Sequence, residues 1–200
     1  MNKKLAIFGS GGHGKVVGEI ALLNQFSTID FFDDKFKEIK EFPFPLIGNL
    51  ECLKNLLDSY DFFFVAIGNN ISRFKITKYL AKENIKLISL FHPSSVISKF
   101  CSIGKGVCLM ANSVVNAGSI INDGAVINSS ASIDHDCFVG NFAHISPNCS
   151  LSGNVSVGDF SHLGTGTSVH PAIRIGNKVI TGVGSNVFKD ILDNEIYKNS

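Results

Sequence analysis

A six-residue period runs through the second half of the chain without a slip. Every sixth residue from Ile97 to Ile175 is Ile, Leu or Val, fourteen in succession, although these three types fill only 52 of the 200 positions. Four residues after each stands a second, mostly smaller side chain, among them Cys101, Ser119, Ala131, Cys137, Ala143 and Ser161. Glycine often follows the large residue, as in Ile103-Gly104, Val139-Gly140 and Val157-Gly158. One large and one small inward residue per six, with turn residues between, describes a solenoid of short strands whose repeats bury their apolar side only by stacking. Residues 97 to 186 hold fifteen such hexapeptides.

The first 90 residues follow another rule. LAIFG (5 to 9), IDFFDD and DFFFVAIG (61 to 68) are short apolar runs that read as buried strands. They alternate with helical patterns from about Lys15 to Leu23, Leu50 to Leu57, and over 72 to 83, with KLISLF closing the segment. Strands alternating with helices predict a small parallel α/β sheet. The chain is therefore divided at residue 90: an α/β domain over 1–90 and a repeat domain over 91–200.

Charge narrows the partners. The net charge of +1 comes from 18 basic and 17 acidic residues without a basic run, which disfavours nucleic acid and anionic membranes as partners. The opening MNKKLAIFGSGG holds too few apolar residues for a signal sequence or span, so a cytoplasmic protein is expected. Five cysteines without CxxC spacing read as reduced thiols, with no zinc site or other metal centre.

Between the first strand and helix, GSGGHG places Gly9, Gly11 and Gly14 in the G-x-G-x-x-G pattern, and Asp33 or Asp34 follows at the end of the second strand. Backbone N–H groups in such a loop, with a helix N-terminus behind them, hold phosphate. A full dinucleotide site needs a second mononucleotide half, which the three or four strands before the repeats do not supply. A phosphorylated ligand is expected, and NAD is not.

GSGGHGKVV, the FFDD after the second strand, AIGNN (66 to 70), HPSS (92 to 95) and the unbroken hexapeptides holding DHD and AHIS together resemble bacterial sugar acetyltransferases of the sialic-acid O-acetyltransferase type. Within that group the nearest likeness is to N-acetyltransferases of nucleotide-linked 4-amino-4,6-dideoxy sugars. The resemblance implies a Rossmann-like α/β domain followed by a left-handed parallel β-helix, in which three hexapeptides make one coil and residues eighteen apart stack. It also implies a homotrimer with active sites between subunits, a nucleotide sugar in the α/β domain and acetyl-CoA on the β-helix. The product would enter bacterial glycan synthesis, such as lipopolysaccharide O-antigen, capsule or glycoprotein.

Residue by residue, the resemblance assigns the sugar nucleotide to Gly11, Gly12, His13 and Gly14, with Asp33, Asp34, Gly68, Asn69 and Asn70 as further contacts and Lys35 and Arg73 as candidates for phosphate. It assigns catalysis to His135 and Asp136, and acetyl-CoA to His144, Gly164 and Gly182. Asp136 stands where some relatives carry Glu. The residues alone allow a plainer role for His135, which occupies a turn two after Ile133, and His144 and His162 fall one coil apart as a ladder that scaffolding alone could explain.

Histidine suits acetyl transfer to an amine because its ordinary pKa is about 6.5. In that scheme His135 takes the amine proton and returns it to the CoA sulfur, while Asp136 fixes the imidazole tautomer. Cys137 falls on an inward position, which disfavours an acyl-enzyme. Two other function classes stay open at this stage: O-acetylation of a sugar such as a sialic acid, and a non-catalytic nucleotide-sugar-binding protein.

Overall fold

The computed structural model describes residues 3–83 and 85–198. The chain divides into two compact units, Met1–Leu90 and Phe91–Ser200.

The first unit is a four-stranded parallel sheet built from β1 (Lys4–Phe8), β2 (Thr28–Phe32), β3 (Leu46–Gly48) and β4 (Phe62–Val65), in the order β3-β2-β1-β4. The helices are α1 (Gly12–Leu23), α2 (Leu50–Lys54) and α3 (Asn70–Leu80). Phenylalanines and aliphatics of the central strands are almost wholly buried, as continuous apolar runs in parallel sheets should be. Sequence periodicity misses β3, which is three residues long and follows the proline-bounded FPFP stretch. It also starts α1 three residues late, because glycines are poor helix formers. Gly14 is nevertheless required in α1: a Cβ there would lie 2.2 Å from the Gly9 carbonyl oxygen, so only glycine lets the helix approach the end of β1.

From Leu90–Phe91, at the boundary between the units, to Asn186–Val187, strands of two residues recur every six positions. With Ile196–Tyr197 they stack into three parallel sheets of five, seven and six strands, whose members are three steps apart in the chain except where Ile196–Tyr197 joins Ile180–Thr181. Register is that of an eighteen-residue coil, with Ile121 beside Ile103 and Val139, and Ile133 beside Val115 and Leu151. This is the left-handed parallel β-helix. Its core is the stacked column set, with Leu109, Ile127, Ile145 and Leu163 on one side and Ala125, Ala143 and Ser161 on another, all at most 1% exposed.

The array begins one hexapeptide before Ile97, at Leu90–Phe91, because Phe91 packs against the core in the same register. At the other end Thr181 takes an inward apolar position, and its hydroxyl is satisfied by the Gly164 N–H at 2.9 Å and by Thr167 at 2.8 Å. The coil after it is two residues shorter: Ile175 pairs with Ile191, and Ile180 with Ile196.

Each hexapeptide turns through one residue with positive φ. Those positions fall every six residues from Gly106 to Gly184, and glycine holds only five of them. Asn112, Asn148 and Asn154 suit the left-handed region, as does Asp136 at φ 58°.

The five cysteines are free thiols, three of them buried and Cys52 and Cys101 half-buried. Among the described residues no helix is long and apolar enough to cross a membrane, and no group of three or more His, Cys, Asp or Glu could hold a metal ion.

Candidate functional site

In the α/β unit the carboxyl ends of β1, β2 and β4 open onto a cleft of about 650 Å³. Its walls include Gly11, Gly12, His13, Asp33, Asp34, Lys35 and Gly68 from the expected set, and Ser72, Lys75 and Ile76 from α3, which sequence reading missed. The N-terminal ends of α1 and α3 both contribute, and neither first turn carries an acid. The positive ends of these helix dipoles, with Lys35 and Lys75 nearby, favour an anion. Lys75 lies one helical turn beyond Ile71, and only its face on α3 would have marked it.

The acids of this cleft are partly committed. Asp33 accepts the N–H and hydroxyl of Ser10 on Oδ2, both at 2.9 Å, and the Lys35 N–H on Oδ1 at 2.9 Å. It ties the glycine loop to the end of β2, a role that a sequence scan for a ribose acid does not distinguish from ligand contact. Asp34 accepts the Leu50 N–H at 3.1 Å and so helps start α2.

Arg73 departs from its expected place. It is 1% exposed and donates to the carbonyls of Ile67 at 2.8 Å and Gly68 at 3.0 Å, and to Asn70 Oδ1 at 3.0 Å. Its guanidinium therefore shapes the β4–α3 loop from behind and does not line the cleft. Asn69 caps α3 by accepting the Ser72 N–H at 2.9 Å, and Asn70 is buried against Arg73. Gly14 supports the loop by its close approach to Gly9. His13 does line the cleft, and burial together with the Arg73 charge lowers its pKa to about 4, so its imidazole is neutral near pH 7.

On the β-helix, His135 and Asp136 form an exposed pair: His135 Nδ1 lies 2.8 Å from Asp136 Oδ2. Asp134 turns away from the imidazole, accepting the His135 backbone N–H at 2.8 Å and Asn116 Nδ2 at 3.1 Å. The Asp136 hydrogen bond, then the Asp134 charge, raise the His135 pKa above its ordinary value. With Nδ1–H donated to the carboxylate, Nε2 carries the lone pair. That is the arrangement of an oriented general base.

His144 and His162 stack with ring centroids 4.7 Å apart. Asn128 Oδ1 accepts the Ser129 N–H at 2.8 Å, which leaves its Nδ2 facing His144 Nε2 at 3.1 Å. His162 Nε2 meets Ser146 Oγ at 3.1 Å. Gly164 answers a packing need, since a Cβ there would fall 2.6 Å from the Thr181 carbonyl oxygen, whereas at Gly182 the nearest atom would be 3.6 Å away. Cys137 is buried, and burial pushes its thiol pKa up, which suits a core residue and not a nucleophile.

A mononucleotide-sized α/β unit followed by hexapeptide coils that carry an oriented histidine defines a class of acyltransferase. Comparison with known proteins narrows it. Residues 4–80 match the PglD N-terminal domain family. The chain is 40% identical to the acetyltransferase domain of PglB from Neisseria gonorrhoeae, solved with acetyl coenzyme A, at a TM-score of 0.94 over 100% of this chain and 97% of that one. It is 34% identical to PerB from Caulobacter crescentus, solved with CoA and GDP-perosamine, at a TM-score of 0.93 over 100% and 95%. UDP-N-acetylbacillosamine N-acetyltransferase from Bacillus subtilis is 38% identical over 115 residues, 54% of this chain. The chain spans about half the length of that relative, 52%. The chain belongs to the hexapeptide-repeat acetyltransferase family.

Proposed function

We propose that the protein transfers acetyl from acetyl-CoA to the amine of a nucleotide-linked 4-amino-4,6-dideoxy sugar in bacterial glycan synthesis, working in the cytoplasm. The observation that carries this reading is the exposed His135 with Nδ1 engaged by Asp136 and Nε2 carrying the lone pair. Names of relatives support the substrate class: those in Bacillus subtilis and Escherichia coli O157:H7 are named for UDP-N-acetylbacillosamine and GDP-perosamine.

The α/β cleft suits the nucleotide. Its helix N-termini and lysines meet a diphosphate, and its volume suits a small ligand. Residues fitting acetyl-CoA are His144, buried but for 8% of its surface, and the open surface at Gly182, with Gly164 serving coil packing. Nε2 of His135 accepts the proton as the sugar amine attacks the thioester carbonyl. The C–S bond then breaks, and the same proton passes to the departing sulfur. Asp136 stabilises the imidazolium formed in between.

A homotrimer with active sites shared between subunits is part of the proposal. The β-helix exposes Val96, Phe100, Val183, Phe188, Leu192 and Ile196, each more than 60% accessible, and such large apolar side chains favour burial against another copy. The deciding experiment incubates purified protein with acetyl-CoA and UDP-, TDP- or GDP-linked 4-amino sugars and follows thiol release. Release with one of these is expected. Release only with a free sialic acid would replace N- by O-acetylation.

A further inference from the structure

The geometry points to Gly118 and Gly153 as positioning residues that seat the His135–Asp136 pair in a notch spanning three coils. This rests on His135 being the base. Gly118 lies one coil before Asp136 and Gly153 one coil after His135, so the two glycines bracket the pair from opposite sides along the stack. A Cβ on Gly118 would fall 2.3 Å from Asp136 Oδ1 and 3.3 Å from its Cγ. A Cβ on Gly153 would fall 2.6 Å from both Cε1 and Nε2 of His135. Both distances are shorter than any tolerated contact, so the observed rotamers exist only because neither position bears a side chain. The consequences differ. A methyl at 118 drives the Asp136 carboxylate away from Nδ1, whereas a methyl at 153 displaces the nitrogen that must receive the proton.

Backbone conformation alone does not require these glycines. Gly153 has no positive φ, and the Gly118 turn position is filled elsewhere in the array by Asn, Ser, Phe and Lys. The chain thus gives up a side chain above and below one His–Asp pair. Stepping eighteen residues either way from the pair would find both glycines in the sequence.

The test compares Gly118→Ala, Gly153→Ala and Asp136→Asn with the control Gly106→Ala. Gly106 also has a positive φ, 65° against 75° at Gly118, but a Cβ there meets only Gly124 at 3.9 Å or beyond, so the control carries comparable backbone strain without touching the pair. NMR titration of the His135 imidazole is read first, since it needs no substrate. Gly118→Ala should lower its midpoint in the direction that Asp136→Asn does, the double variant should add nothing, and the control should match wild type. In turnover assays Gly118→Ala and Gly153→Ala should lower kcat about 10- to 100-fold, as misplacement by about an ångström does, with KM for both substrates little changed. A wild-type titration in a folded Gly118→Ala overturns the notch. If that variant does not fold, Gly153→Ala decides, and wild-type kcat there overturns it equally. Absence of acetyl transfer by the wild type would remove the base reading while leaving the titration result to stand on its own.

Discussion

His135 has one ring nitrogen bound to a carboxylate and the other available, and this division sets its pH behaviour. The raised pKa means that the base form is lost as pH falls through a value above 6.5, so the acidic limb of kcat/KM should lie above 6.5. Replacing Asp136 by Asn removes the largest cause of the raised pKa and should move that limb to lower pH while reducing kcat. His135→Ala should reduce turnover by roughly 100-fold or more, and near wild-type activity would rule the base role out. Arg73 gives a contrasting case. Arg73→Met keeps length but leaves the Ile67 and Gly68 carbonyls and Asn70 Oδ1 without this donor, which should cost about 2–4 kcal/mol in urea unfolding. Loss of nucleotide affinity without loss of stability would instead make Arg73 a ligand contact. The sequence did not mark this difference, because arginine is mostly exposed and its burial depends on carbonyls that converge only once the β4–α3 loop is folded. The His–Asp pair was legible because the hexapeptide period separates inward residues from outward ones, and the family resemblance then gave the outward histidine a role.

At the scale of elements, the coils are joined along one corner by alternating acids and amides. Lys105 N–H donates to Asp123, Asn141 N–H to Asp159, Asp159 N–H to Asn177, and Asn177 N–H to Asp193, each at 2.7–2.8 Å. Asn177 Nδ2 also reaches Asp193 Oδ2 at 3.0 Å. Neighbours in this ladder are about one strand spacing apart, roughly 4.8 Å, so an unbroken row of carboxylates would repel itself. The amides between them avoid that and supply donors. Hydrogen bonds from Asn177 hold the Asp193 carboxyl below its ordinary value. A carboxylate lowered in the fold stabilises it above the unfolded value near 3.8 and loses that effect as pH falls through the lowered one. Asn177→Asp should therefore lower the melting temperature at pH 7, and the deficit should shrink in high salt and below about pH 4. An equal deficit under all three conditions would point to lost hydrogen bonding in place of repulsion. The period predicts these stacks, but the contracted last coil was not legible, since Val187 keeps the period and only the pairing of Ile191 with Ile175 reveals the two missing residues.

For the whole molecule, the proposed nucleotide and acetyl-CoA sites fall in different units, so their ligands should be separable. The cleft residues lie wholly within Met1–Leu90, and His135, His144 and Gly182 lie within Phe91–Ser200. A bulky side chain at Gly12 would occupy the mouth of the glycine loop, where a Cβ meets nothing within 4 Å and the rest of the side chain can enter the cleft. Gly12→Leu should lose most calorimetric binding of a nucleoside diphosphate while binding CoA as the wild type does. His144→Ala should do the reverse. A ligand that binds only the folded state raises stability by mass action, so at one hundred times Kd each should add about 2.7 kcal/mol, and each variant should lose only its own increment. Loss of both ligands in either variant would mean that the sites are not independent. The same samples report assembly: light scattering at micromolar concentration should give three times the 21.6 kDa chain mass. Phe100→Asp and Phe188→Asp, which place charges on the two aromatic side chains at 81% and 70% exposure, should shift that mass toward one chain. If the sites are shared between subunits, these variants should also lose acetyl transfer while the nucleoside diphosphate still binds, and a fully active monomer would refute the shared site.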